Sequence, residues 1–172
     1  MMTSRTAVTV AAVSTVAGLL SGLAMYLGRS PEREQHVAGT EAWLPHVAVA
    51  VVLAVWLLIA SRRSPLGLRV ILAPLGRPIA ARIAATFRAR AVLRWPAVGF
   101  LVFVEAYLCW RIGVQVFAGL DPNFTANAWG GPSYAGAMLC HYLDGALLLL
   151  VCHTLLRWVT LPSIDRQHQH AQ

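Results

Sequence analysis

Apolar positions in this chain gather into four long runs, 7–27, 43–60, 96–120 and 134–159, separated by polar or arginine-rich connectors. A helix rises about 1.5 Å per residue, so about 20 residues cross a hydrocarbon core of roughly 30 Å. Each run is therefore long enough, or nearly so, to span a bilayer. The first has no Asp, Glu, His, Lys or Arg at all. The pattern predicts an all-α integral membrane protein: a four-helix transmembrane bundle forming one domain over 1–162. A polar tail, 163–172, follows and is expected to be disordered, with His168 and His170 in water.

The connectors differ sharply in charge. Residues 61–95 hold Arg62, Arg63, Arg69, Arg77, Arg82, Arg88, Arg90 and Arg94 and no carboxylate. The connector after the first run sets Arg29 and Arg33 against Glu32, Glu34 and Glu41, and the one after the third has only Asp121. Arginine-rich short loops stay on the cytoplasmic side. The connector 61–95 and both chain ends (Arg5 at one, Arg157 and Arg166 at the other) are thus expected inside, and the other two connectors outside. Gly28-Arg29-Ser30-Pro31 is a poor cleavage site, so the first run reads as a retained span rather than a signal peptide.

Within 61–95, the stretch 66–75 is apolar but too short to span and is interrupted by Arg69 and Pro74. Residues 79–94 contain no Pro or Gly and predict a helix, with Ile79, Ile83 and Phe87 on one face. Such a helix would lie in the inner headgroup layer. Arg69, Arg77, Arg82, Arg88, Arg90 and Arg94 would form a lipid-facing basic stripe, each worth about 1 kcal/mol of attraction to anionic lipid. Trp43, Trp95, Trp129 and Trp158 fall at run ends, where an indole ring is best solvated.

Composition narrows the class further. Of 172 residues, 58% are hydrophobic and 12% charged, and the formal charge is +7. A soluble domain carries about 25% charged residues. All 14 basic residues are arginine, a bias common in high-GC bacterial genomes, so a bacterial plasma membrane is the expected location. Cys109, Cys140 and Cys152 fall inside spans without CxxC spacing and read as packing residues. No Walker, GxSxG, HExxH or kinase pattern occurs, and the chain does not read as an enzyme or a metal protein. Asn123-Phe124-Thr125 fits a glycosylation sequon, which carries little weight in a bacterial chain.

Ionisable groups inside spans are costly unless paired, and so mark candidate sites. Glu105 and Asp144 fall near the midplane, about 15 Å from either surface at the helical rise, and Arg111, His141 and His46 lie in the outer half. His141 and Asp144, three apart, share a face. Tyr107, Arg111 and Gln115 form a stripe on the third span. With the fourth span facing the third, the expected contact is Arg111 with Asp144 or His141 with Glu105, and His46 approaches from the second span. His153, about 120° around from His141 at 100° per residue, is set aside.

Three readings fit this cluster. One is a hydrogen-bond set that fixes helix register, and it goes with a non-enzymatic accessory subunit acting through helix contacts and a basic cytoplasmic loop. The second is a proton or ion relay, or a site for a small polar ligand, because a carboxylate beside a histidine can pass a proton. The third is a haem b or quinone site with His46 and His141 as axial ligands. The first reading needs no cofactor. Its partners would be the bilayer, anionic lipid at the inner face, and a membrane protein or a second copy of the chain through the Gly18–Gly22 GxxxG spacing. Nucleic acid is not expected to bind.

Overall fold

The computed structural model describes residues 3–162, so the tail 163–172 lies outside the described residues. Four helices are long and apolar enough to cross a membrane. They are α1 (Arg5–Leu27), α2 (Trp43–Arg63), α4 (Trp95–Ala118) and α6 (Tyr134–Val159), with α3 (Arg77–Arg88) and the single turn α5 (Pro122–Thr125) between them. The chain is an all-α membrane bundle, as its apolar runs predict.

Helix ends follow local chemistry. Ser4 caps α1 by accepting from the Ala7 N–H, and Ser133 caps α6 by accepting from the Gly136 N–H. Pro96 sits in the first turn of α4, where its missing N–H costs nothing. Arg29 closes the far end of α1, donating to the Tyr26 carbonyl at 2.7 Å with its guanidinium over the Tyr26 ring.

The spans do not pack in chain order. They form a row, α1–α4–α6–α2, in which α1 lies on α4, α4 on α6, and α6 on α2. Ser4 N–H donates to the Leu75 carbonyl, and Arg82 bonds to the end of α6, so residues before α1, the connector 61–95 and the end of α6 share one end. We call it the arginine end. Thus α1 runs parallel to α4 and α2 parallel to α6, and the two pairs meet antiparallel at the centre.

The α1–α4 seam is the closest in the molecule. A Cβ built on Gly18 or Gly22 would land on the carbonyl of Trp110 or Val114, and one built on Gly113 would land on that of Thr15. The backbones therefore touch, as small residues permit in lipid, where packing rather than hydrophobicity drives association. Trp110 Nε1 donates to Ser21 Oγ at 3.3 Å beside this contact.

The connector differs from its sequence reading in two respects. The helix expected over 79–94 ends at Arg88, because Arg90 takes a left-handed conformation (φ 51°) and the chain turns before α4. Residues Gly67–Leu75 form a 3-10 segment against α2. Ile79 of α3 joins a core of Val98, Leu101, Cys152 and Leu156, so α3 docks on protein and does not merely float on headgroups. Phe87 is exposed and stacks on Trp95.

Two arginines of the expected lipid-facing stripe do other work. Arg82 donates to the carbonyls of Arg157 and Thr160 and to Thr160 Oγ1, and Arg94 donates to the Val159 carbonyl at 2.9 Å. The last carbonyls of a helix lack partners and carry partial negative charge, so guanidinium groups settle there. Arg69, Arg77, Arg88 and Arg90 are exposed.

At the opposite end the two remaining connectors interlock. Asn123 accepts from the Glu34 N–H and donates its amide to the carbonyls of Ser30 and Glu32. Its nitrogen is engaged within the fold, whatever the sequon suggests. Asn127 accepts from the Val37 N–H, His36 bonds the Ala126 carbonyl, and the Ala42 N–H donates to Trp129. His36 also pairs with Glu41 at 3.0 Å. Bonds from its own N–H and then that of Gly39, with His36 nearby, hold the Glu41 carboxyl below its ordinary value.

Candidate functional site

Apart from Glu105, the ionisable groups of the two candidate sites fall into two places, and α6 supplies side chains to both. In the first, away from the arginine end, His46 at the start of α2 reaches Asp144 of α6, with Nε2 to Oδ2 at 3.3 Å. His46 is the sole buried residue of α2 and lies against the Trp129 ring. Its Nδ1 is 2.6 Å from the Ala42 carbonyl. A carbonyl only accepts, so Nδ1 carries a hydrogen. A neutral imidazole would then turn a bare Nε2 toward a carboxylate, two acceptors face to face. The contact is attractive only with a proton between them, on the ring or on the acid.

The expected pairings give way to this one. Neither Arg111–Asp144 nor His141–Glu105 forms an ion pair among the described residues. The reason for the first is local. Gln115 is buried one turn along α4, and with its amide oxygen toward Arg111 it accepts from both Nε and Nη2 at 3.1 Å. The Phe124 ring covers the other side of the guanidinium at 5.8 Å. Arg111 is therefore held on its own helix.

Glu105 is elsewhere. Its Oε1 is buried without a hydrogen-bond partner, and its electrostatic neighbours are Cys109 of its own helix and Cys152 of α6, about two turns before the end of that helix. The rotation of about 120° between Glu105 and Arg111 already separated these two residues. So His46, Asp144, His141 and Arg111 come together, and Glu105 does not join them.

His141, Arg111, Asp144, Gln115, Tyr107 and Tyr142 line a cavity of about 190 Å³ between α4 and α6. A water occupies about 30 Å³ of liquid, so several waters or a small ion fit, whereas small-molecule ligand sites run to about 300–1,000 Å³. A haem between His46 and His141 would need the His46 nitrogen that faces Asp144. No group of three or more possible metal ligands occurs among the described residues.

The second place is a cavity of about 350 Å³ between α2, the segment Gly67–Leu75 and α6, near the arginine end. It holds His153, which the sequence reading set aside. The signal was present: His153 and Arg157 are four apart and share a face, within the last two turns of the span.

No known protein family, curated protein or solved structure matches the chain. Geometry alone therefore carries the functional argument.

Proposed function

We propose that this multi-pass membrane protein is a proton-coupled carrier or relay, working through the site between α2, α4 and α6. The observation that carries the reading is the His46–Asp144 contact, which needs a proton to hold and opens onto a small cavity lined by His141 and Arg111. A proton gained or lost there changes the bond that ties α2 to α6. Arg111, kept as a cation by its always-protonated guanidinium, gives the cavity affinity for a small anion or polar solute beside the proton. The arginine end faces the cytoplasm of a bacterial plasma membrane in this reading, so the site opens toward the outer half.

A non-enzymatic accessory subunit is the second reading, and α2 favours it. Only 6% of the apolar window of α2 is buried, which leaves most of that helix to lipid or to a partner span. The small-residue argument for a partner falls away, because Gly18 and Gly22 are used on α4.

Purified protein in liposomes under an imposed pH gradient tests the first reading. Lumenal pH should relax faster than in empty vesicles, and Asp144→Asn and His46→Gln should abolish the effect. Glu105→Gln, outside the site, should retain it. Flux unchanged in Asp144→Asn and His46→Gln would end the proposal.

A further inference from the structure

The larger cavity has a chemistry distinct from the proton site and stands independently of it. Its walls are apolar: Leu53 and Trp56 from α2, Ile71 from the segment Gly67–Leu75, and Leu150 from α6. From α6 it takes His153, Thr154 and Arg157 toward the arginine end; the Thr154 hydroxyl donates back to the Leu150 carbonyl. No residue lining it is acidic.

Two features there are incomplete as they stand. His153 Nδ1 is buried without a hydrogen-bond partner. The Arg157 side chain is exposed and makes no ion pair among the described residues, although its backbone carbonyl accepts from Arg82. The exposed Arg157 cation at the mouth of a greasy cleft lacks an ion-pair partner, a place that an oxygen-rich anion would fill. The walls call for hydrocarbon. At about 350 Å³ the cleft falls in the range of about 300–1,000 Å³ typical of ligand sites.

We infer that this cleft is a binding site for one anionic phospholipid, with an acyl chain between α2 and α6 and the phosphate on Arg157 and His153. Charge complementarity fixes the occupant: the cleft carries a cation and no carboxylate at its rim, its walls are apolar, and the connector 61–95, which supplies part of its lining, has arginines and no carboxylate. The Gly67–Leu75 segment forms the floor of the cleft and is too short to span, so a lipid there also packs the gap beneath α2. The bound lipid thus joins α2 to α6 at one end as His46 does at the other.

The test uses the full chain in vesicles of mixed phosphatidylglycerol and phosphatidylcholine, followed by mild detergent extraction and native mass spectrometry of retained lipid. One phosphatidylglycerol per chain should survive in preference to phosphatidylcholine. Arg157→Gln should cut that retention about fivefold, the effect of one arginine near an anionic headgroup, and Arg157→Lys should restore most of it. Leu150→Trp, which fills the cleft, should remove the bound lipid, whereas Arg63→Gln at the same end but outside the cleft should leave it. Equal retention of the two lipids, or retention in Arg157→Gln matching the unaltered protein, would overturn the assignment.

Discussion

The α1–α4 seam and the seams around α6 are built by opposite rules. Along α1 and α4, glycines bring backbone onto backbone, and the only polar link between side chains is Trp110 to Ser21. Around α6, by contrast, lie the two cavities described above, the His46–Asp144 pair and, among the described residues, two of the three buried side-chain atoms without partners, Glu105 Oε1 and His153 Nδ1. In lipid, helix association rests on fit, so the first seam holds the protein together. The second leaves space and unsatisfied groups, at some cost in stability. Such costs are tolerated where chemistry or binding needs them.

The comparison breaks most severely at the glycines. Gly18→Leu or Gly22→Leu should cost at least about 3 kcal/mol, at the upper end of overpacking, because the obstruction is backbone and cannot swing away. Reversible unfolding in mixed micelles reads this loss; an effect below about 1 kcal/mol would mean the seam is not as close as described. Arg82→Ala comes next. It removes charge-assisted bonds to the end of α6 and should cost about 2 kcal/mol, with hydrogen exchange rising first at residues 156–160.

Asp144→Asn sharpens the contrast from the other side. Membrane hydrogen bonds average about 0.6 kcal/mol, so its thermal stability should barely move while proton flux is lost. Equal damage to both would instead mark the pair as structural. The smallest effect is in the interlocked loops. Because the folded-state value of Glu41 lies below its ordinary 4.5, its contribution is complete above that pH and fades as pH falls through the lower folded value. Amide exchange at Gly39, whose N–H donates to Glu41, should accelerate only under acid, and Glu41→Gln should flatten the response.

Which parts were readable from residue order follows from the range of the forces involved. The four spans come from local hydropathy and appear close to their expected bounds; α6 coincides with its run, 134–159. The end of α3 did not show, because nothing in Ala89-Arg90-Ala91 forbids helix and the turn at Arg90 is set by how α3 docks. For the candidate site, depth and helical angle brought Asp144, His141 and Arg111 to one region. They misassigned the partners, since helix order in the row is a tertiary property: α6 beside α2 gives Asp144 to His46, and Gln115 retains Arg111. The same cause hid the use of the GxxxG face, which found its match inside the chain.

That match has a consequence for biogenesis. The first span emerges from the ribosome with its glycine face bare, and its mate, centred on Gly113, follows almost a hundred residues later. In the interval α2 and the connector 61–95 are made first. Until α4 is made, the newborn helix therefore presents a notch whose fitted partner does not yet exist.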